Sequence, residues 1–114
     1  MAYLQHLLPQ TIQSVAAASV GASYSTLGTV NHEARIVRLI NSTDQPVLIS
    51  WDGSASNDNE FLANGTNITY NCTANRVADD GAFISSGTVF SVKRAGNAPA
   101  SGSVYLVVIY TLVK

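Results

Sequence analysis

Residues 34–52, ARIVRLINSTDQPVLISWD, are the stretch that decides the fold of this chain. Two runs of β-branched and aliphatic residues flank the turn-forming cluster NSTD at positions 41–44. Apolar runs of this length that are separated by turn residues are typical of paired strands. Pro46 lies early in the second run, where proline is tolerated at a strand start or on a sheet edge. We therefore expect a β-hairpin here.

The remainder of the chain continues in short strand-like runs. Residues 66–73 and 88–93 alternate between apolar and polar positions, and residues 103–113, SVYLVVIYTLV, are apolar on both faces. A strand that is apolar on both faces belongs in the centre of a sheet or at a junction between two sheets. Short strands separated by Gly and Asn turns predict an all-β fold, namely an antiparallel β-sandwich or jelly-roll-like domain.

The N-terminal segment differs in composition from the other parts of the chain. Residues 1–22 contain no Asp, Glu, Lys or Arg, and their apolar residues are dispersed among Gln, Ser, Thr and Ala. The pattern fits either a short helix or an extended strand, and an isolated helix of this length is marginal in water. We predict an extended N-terminal arm over residues 1–22 that packs on a neighbouring subunit, followed by a β-sandwich domain over residues 23–114. The alternative is a terminal segment that folds onto its own domain.

Composition narrows the range of partners. The 114 residues are enough for one domain, and only 11% of them are charged, with a net charge of −1. A surface with little charge suits permanent assemblies, because less charge has to be desolvated on packing. The small net charge provides no overall attraction to nucleic acid or anionic lipid, and no apolar run reaches the roughly 18 residues of a membrane helix. We predict neither a nucleic-acid nor a membrane partner.

No catalytic constellation stands out. His6 and His32 have no spaced partner that would indicate a zinc site or a Ser–His–Asp triad. The lone Cys72 lies in an alternating strand pattern, which favours a structural thiol over a nucleophile. Glycine-rich phosphate-binding motifs are absent. The chain is therefore predicted to be non-enzymatic and to need no cofactor.

A calcium site is a weaker possibility, because the acidic residues lack EF-hand spacing and Asn-rich loops are ordinary turns. These acidic residues are Asp52, Asp58, Glu60, Asp79 and Asp80.

Eight residues are candidate contact positions. Apolar residues of the predicted arm would each contribute about 1.5–3 kcal/mol when buried on a neighbour. The two arginines are the only cations of residues 34–52, and Trp51 precedes a carboxylate at the end of that stretch. The candidate interface consists of Leu4, Leu7, Leu8, Ile12, Arg35, Arg38, Trp51 and Asp52.

Three segments, taken together and in this order, resemble a known family of proteins. They are VRLINSTDQPVLISWDG at 37–53, GTVFSVKR at 87–94 and SGSVYLVVIYTLV at 101–113. Together they resemble small β-sandwich structural proteins of tailed bacteriophages, which lie at the capsid surface, the neck or the tail junction. The resemblance covers roughly residues 20–113 and includes no catalytic motif.

The resemblance implies a virion protein that forms homo-oligomers and contacts capsid, portal or tail proteins. It also implies synthesis in the host bacterial cytoplasm. That agrees with a start that has no Lys or Arg before Arg35 and hence no positively charged signal-peptide region.

A different class of function is also compatible with the sequence. A carbohydrate-binding β-sandwich module would use Trp51, Asp52, Tyr70 and the loop at 53–60, because an aromatic ring beside a carboxylate suits a sugar. A tryptophan at the end of a strand is, however, more often a packing residue.

Overall fold

A computed structural model of the chain describes residues 5–53, 57–72 and 83–113. These residues form two antiparallel sheets that pack face to face, which confirms the predicted all-β sandwich. Within them, the one helical segment is a three-residue 3-10 turn, Ala17–Ser19, and no helix is long and apolar enough to cross a membrane. The strands are β1 Gln5–Pro9, β2 Gln13–Ala16, β3 Ser25–Thr29, β4 Ala34–Asn41, β5 Val47–Ser50, β6 Glu60–Leu62, β7 Thr66–Asn71, β8 Val89–Arg94 and β9 Ser103–Val113.

The strands are connected as nested antiparallel pairs. In sheet A, β1 and β2 both pair with β9, and β4 and β7 follow; in sheet B the order is β3-β8-β5-β6. Thus β2 pairs with β9, β3 with β8, β4 with β7 and β5 with β6, like a long ribbon of chain folded back on itself. The ribbon is rolled so that β4 also pairs with β9 and β5 with β8. This is the arrangement of a jelly roll.

The predicted hairpin over residues 34–52 is wrong. β4 belongs to sheet A and β5 belongs to sheet B, so residues 42–46 cross between the sheets. A turn does occur where the cluster NSTD predicts it. Two apolar runs around a polar turn have the same local pattern whether the second run pairs with the first or enters the opposite sheet. The choice between them depends on strands that are distant in sequence.

The crossing is organised by Asn41, a polar residue with no solvent exposure. Its side-chain nitrogen donates to the carbonyl oxygens of Gln45 at 3.0 Å and Leu62 at 3.1 Å. Its side-chain oxygen accepts from the backbone N–H of Thr43 at 3.0 Å and from the Thr43 hydroxyl at 2.6 Å. Because Leu62 ends β6, this one amide ties the end of a sheet A strand to the end of a sheet B strand.

Residues 5–20 of the N-terminal segment lie on the chain's own sandwich. β1 pairs with the second half of β9, from Gln5 opposite Val113 to Pro9 opposite Ile109, and β2 pairs with the first half. The following turn buries Ala17 and Val20. Over residues 5–22 the chain thus follows the alternative to the predicted arm, a terminal segment that folds onto its own domain. The reason is that β9 is long and apolar, and β4 pairs with only one of its edges. The N–H and C=O groups of the other edge need partners, and β1 and β2 supply them. Residues 1–4 of the predicted arm lie outside the described residues.

Two glutamines close the sandwich beside this segment. The Gln13 side chain donates to the Thr29 carbonyl at 2.9 Å and accepts from the Thr29 N–H at 2.9 Å. The Gln10 side chain donates to the same carbonyl at 2.7 Å and accepts from the Asn31 N–H at 3.0 Å. Glycine at position 28 makes room, because a Cβ there would lie 2.7 Å from the Gln13 side chain. These side-chain amides make hydrogen bonds to the backbone at the edge of β3, in place of the hydrogen bonds that a neighbouring strand would make.

The core lies between the two sheets, and Trp51 and Tyr70 pack against it at one side. Its largest fully buried side chains are Phe90, Leu39, Ile49, Leu106, Val30, Val37, Val47, Val92, Val104 and Val108.

Candidate functional site

The outward face of sheet A is apolar around β9. Residues 104, 106 and 108 of this strand are buried between the sheets. Because side chains alternate along a strand, Tyr105, Val107 and Ile109 point away from the core, and each of them is half-buried. Within the described residues, no second layer of the same chain packs on this face.

Neighbouring strands widen this apolar surface. On β4, the half-buried Ile36 and Ile40 stand opposite Ile109 and Tyr105. On β1, Pro9 stands opposite Ile109, and Leu7, which is 57% exposed, is the outward residue next along the strand. We call this surface the outer stripe. It consists of Leu7, Pro9, Ile36, Ile40, Tyr105, Val107 and Ile109.

One charge interrupts the outer stripe, and polar residues border it. Arg38 lies between Ile36 and Ile40 on β4, opposite Val107, and its Nε donates to the Thr69 hydroxyl at 3.3 Å. On β7, the outward positions are Asn67, Thr69 and Asn71, since they stand opposite the outward residues of β4. An apolar centre with a polar rim is the usual anatomy of a protein interface.

The predicted contact residues are distributed over several places. Leu7 and Arg38 lie on the outward face of sheet A, whereas Leu8 stands opposite Tyr110 on the other side of β1. Ile12 is 59% exposed in the connection between β1 and β2. Leu4 lies outside the described residues.

Arg35 stands opposite no residue of β9, so it is not placed in the outer stripe. It lies at a bulge in β4, and its Nη2 donates to the Cys72 carbonyl at 3.2 Å.

Sequence reasoning missed the centre of the outer stripe. Tyr105, Val107 and Ile109 were not among the candidate contact residues, and neither were Ile36 and Ile40. The available signal was that residues 103–113 are apolar on both faces. Packing of the two sheets covers one of those faces of β9, and the other face lies on the outside of sheet A.

Trp51 and Asp52 lie on a different part of the molecule, directly after β5. The Trp51 ring stacks on Phe90 with centroids 5.4 Å apart and also contacts Tyr70 at 5.3 Å. The Asp52 carboxylate accepts from the side-chain nitrogens of Asn57 and Asn59. Trp51 is therefore a packing residue at the margin of the core, and Asp52 shapes the loop after it.

Open grooves flank this tryptophan. One of about 270 Å³ is lined by Trp51, Asp52, Asn59, Glu60 and Tyr70. Burial raises the pKa of the Tyr70 phenol, and the nearby Glu60 carboxylate raises it further. The groove thus combines two aromatic rings with two carboxylates, which suits a neutral, hydroxyl-rich ligand better than an anion.

A wider groove of about 600 Å³ lies beside it. Its lining is Ser50, Trp51, Asp52, Gly53, Ser86, Gly87, Thr88, Val89 and Ser91.

A charged cluster holds the 57–59 segment against sheet B. The Tyr24 hydroxyl donates to Asp58 Oδ1 at 2.6 Å, and Lys93 Nζ lies 3.5 Å from the same oxygen. The lysine also sits 4.9 Å from the centre of the Tyr24 ring. The Tyr24 hydrogen bond, with a further contribution from Lys93, holds the pKa of Asp58 below its usual range. Burial and the same carboxylate raise the pKa of Tyr24.

No metal centre is found in the part of the chain that the structure describes, where no three His, Cys, Asp or Glu side chains group as ligands. Asp79 and Asp80, two of the acidic residues considered for calcium, lie outside that part.

Comparison with known proteins adds information about the fold alone. No protein family matches the chain, and no curated protein matches it. Among solved structures, a chain of the Bacillus endospore appendages, which form a family of disulfide-linked pili, is similar to it. The TM-score is 0.50 and the identity 14%, over 98% of this chain and 92% of that chain. At this identity the likeness concerns architecture, and architecture does not imply function.

Proposed function

We propose that this protein is a non-enzymatic structural subunit that assembles with copies of itself. Its proposed setting is the virion of a tailed bacteriophage, on the capsid or at the head–tail neck, in contact with capsid, portal or tail proteins. The observation that carries the proposal is the outer stripe, an apolar surface in the middle of a sheet face that no described part of the chain covers.

The outer stripe is large enough to serve as a contact surface. Three strands at about 4.8 Å spacing and about nine residues of β9 at about 3.3 Å give a sheet face on the order of 400 Å². This is the size of the largest apolar patch on a typical monomer, and such patches are often functional. The low charged fraction of 11% agrees with a surface that is meant to be covered.

Two further observations support assembly. The segments at 37–53, 87–94 and 101–113 resemble bacteriophage structural proteins. The Bacillus neighbour is a pilus component, so a sandwich of similar architecture serves there as a repeating subunit. Both settings use one subunit many times, and the virion is the setting that the sequence segments favour.

Sedimentation velocity over a range of micromolar concentrations tests self-assembly. The wild type is expected to sediment as an oligomer. Val107→Lys, which places a charge in the centre of the outer stripe, is expected to sediment as a monomer with an unchanged far-UV circular dichroism spectrum. Thr69→Lys, on the polar border of the same face, is the matched control and is expected to remain oligomeric. A wild type that is monomeric at all concentrations contradicts the proposal.

The virion setting needs a separate measurement. Mass spectrometry of purified phage particles is expected to detect the protein in multiple copies per particle. Particles that lack it, together with abundant protein in the infected-cell lysate, would contradict this setting while leaving self-assembly intact.

A second candidate function, carbohydrate binding, is favoured by the groove beside Trp51. Because Trp51 stacks on Phe90, Trp51→Ala would disturb the core as well as the groove, so it is a poor test. Asp52→Ala and Glu60→Gln change the polar lining instead. Specific binding on a glycan array that both variants lose would support this candidate, and a blank array for the wild type would exclude it.

A further inference from the structure

We infer that the grooves around Trp51 form one continuous cleft, and that this cleft binds an oligosaccharide of several sugar units that carries no anionic group. This inference rests on the second candidate function, carbohydrate binding, and specifies the length and the charge of the ligand. The cleft lies at the side of the sandwich where Trp51, which follows β5 of sheet B, meets Tyr70 on β7 of sheet A.

Three grooves meet at Trp51. Besides the grooves of about 270 and 600 Å³, a third groove of about 420 Å³ adjoins the same side chain. The third groove shares Tyr70 with the smallest groove and Thr88 with the largest, and those two share Asp52. Because each groove has a second lining residue in common with each of the others, the three are compartments of one depression. The two larger compartments have the size of small-molecule sites, about 300–1,000 Å³.

The cleft is long enough for more than one sugar unit. Ser91 on β8 stands opposite Ser50 on β5, and both line the largest groove. Glu60 on β6, the next strand of sheet B, lines the smallest groove together with Tyr70 of sheet A. At about 4.8 Å per strand and about 10 Å between sheets, the lining extends roughly 10 Å within sheet B and about 10 Å more toward sheet A. A single pyranose ring is shorter than this, so a ring bound at Trp51 leaves room for its neighbours in the chain.

Aromatic rings along the cleft suit the apolar faces of sugar rings. The centroids of Trp51 and Tyr70 lie 5.3 Å apart, and the two rings are tilted by 48°. Phe83, which is 47% exposed, adds a third ring in the groove of about 420 Å³. An aromatic side chain offers a large, rigid apolar surface, on which the C–H groups of a pyranose can pack. Three rings that are spread over two grooves can therefore contact successive sugar units.

The polar groups of the cleft can accept hydrogen bonds from sugar hydroxyls. The Glu60 carboxylate lies beside the Tyr70 phenol, whose pKa it raises, and an ionised carboxylate has about four lone-pair sites. In the largest groove, Ser86 and Thr88 donate their hydroxyl hydrogens to the backbone carbonyls of residues 31 and 85. A hydroxyl oxygen that has donated its hydrogen still accepts. The lining thus provides acceptors for a ligand rich in hydroxyl donors.

The charges of the cleft disfavour an anionic ligand. The described residues that line the three grooves include Asp52 and Glu60 but neither Lys nor Arg. A phosphate, sulfate or uronate group would therefore meet like charges with no lining cation to offset them, and the repulsion grows as water is excluded. Hydroxyl groups do not incur this cost. The cleft therefore favours glycans without acidic sugars.

A series of glycans of increasing length tests the cleft. The array carries neutral β-glucan, mannan and chitin oligomers of one to six units, with oligogalacturonates of the same lengths as the anionic counterpart. The affinity for at least one neutral series, measured by isothermal titration calorimetry, is expected to rise by about tenfold or more between the monosaccharide and the tetrasaccharide, because the longer chain reaches a second groove. No oligogalacturonate is expected to bind.

Two exposed phenylalanines provide a matched pair of variants. Phe83→Ala removes a ring from the cleft and is expected to weaken binding of the neutral tetrasaccharide by about tenfold, since the apolar contact area is lost. Phe61 is 57% exposed and lies on the outward face of sheet B, outside these three grooves. Phe61→Ala is therefore expected to keep the wild-type affinity. Both side chains are exposed, so both variants are expected to keep the wild-type circular dichroism spectrum.

Loss of carbohydrate binding and loss of the extended cleft have different signatures. A wild type that binds no glycan of the array contradicts carbohydrate binding and this inference together. Three results leave carbohydrate binding standing and overturn the extended cleft for neutral glycans. They are equal affinity for a monosaccharide and its tetrasaccharide, a preference for oligogalacturonates, and equal affinities of the Phe83→Ala and Phe61→Ala variants.

Discussion

At the scale of single residues, Asn41 explains how a polar side chain can direct the path of a β chain. It ends β4 with a fully buried amide whose five hydrogen bonds go to Thr43, Gln45, Leu62 and Ala63. A buried amide is tolerated only when its donors and acceptors are satisfied. The residues around position 41 therefore adopt the geometry that satisfies it, which turns the chain from sheet A toward sheet B.

Asn41→Ala is expected to lower the free energy of unfolding by about 3 kcal/mol, because it leaves the buried N–H of Thr43 without a partner and removes a donor from the carbonyl oxygens of Gln45 and Leu62. Urea denaturation followed by fluorescence of Trp51 measures this. Asn67→Ala, an exposed asparagine on the adjacent strand, is the control and is expected to stay within about 0.5 kcal/mol of the wild type. Equal effects of the two substitutions would contradict the role given to Asn41.

The Tyr24, Asp58 and Lys93 cluster predicts a pH dependence. The folded state holds the pKa of Asp58 below its usual range, so the carboxylate contributes stability above about pH 4, the ordinary pKa of Asp. That contribution is lost as the pH falls through the folded-state pKa. The difference in unfolding free energy between wild type and Asp58→Asn is therefore expected to be constant near neutral pH and to shrink in acid.

Removal of the Tyr24 hydroxyl tests whether its hydrogen bond is what lowers the pKa of Asp58. In Tyr24→Phe, the Asp58 pKa measured by NMR titration is expected to rise toward about 3.9, because the strongest hydrogen bond to the carboxylate is gone. An unchanged Asp58 pKa would show that Tyr24 is not what lowers it.

At the scale of elements, the N-terminal segment is held by pairing with β9 and by side-chain amides. Gln13 sits on β2 in sheet A and bonds both backbone groups of Thr29 at the end of β3 in sheet B. Glutamine has the donor and acceptor of a peptide group at the end of a flexible side chain. It can therefore replace a strand where the two sheets approach each other but do not pair.

Gln13→Ala is expected to cost about 1–2 kcal/mol of unfolding free energy, because the half-buried N–H of Thr29 loses its partner. Hydrogen exchange is expected to show faster exchange of the Thr29 amide in this variant. Ser14→Ala, the exposed neighbour on the opposite face, serves as the control. Unchanged protection of Thr29 would contradict the closure of the sandwich by Gln13.

Individual strands were more predictable than their partners. The alternation at 66–73 and the apolar run at 103–113 correspond to β7 and β9, because period-two patterns are local properties. The hairpin at 34–52 failed because pairing depends on which strands lie beside β4 and β5. Those strands, β7 and β9 on the one side and β6 and β8 on the other, are distant from the turn. The glutamines were missed since their partners lie 16 and more residues away.

At the scale of the whole molecule, the outward face of sheet A remains largely apolar after the jelly roll has formed. The inward face of β9 is buried in the core, and its outward face carries Tyr105, Val107 and Ile109. Assembly of further copies is the proposed use of that surface. A protomer with so much apolar area outside its core is expected to gain stability when it associates.

Thermal unfolding is accordingly expected to depend on protein concentration. For a dimer, a hundredfold increase in concentration stabilises the assembled form by about 2.7 kcal/mol, which raises Tm by several degrees. Scanning calorimetry at two concentrations measures this. Val107→Lys is expected to have a Tm that does not change with concentration, and a concentration-independent Tm of the wild type would contradict assembly through the outer stripe.

The sequence by itself determined the β class, the positions of most strands and the surplus of apolar surface, because all of these arise from local periodicity and composition. Only the tertiary structure decided that β4 and β5 enter different sheets, that residues 5–20 join their own sandwich and that Trp51 packs on Phe90. It also decided which face of β9 is left uncovered. Each of these outcomes depends on contacts between residues that are far apart in the chain, and a local sequence pattern does not predict such contacts.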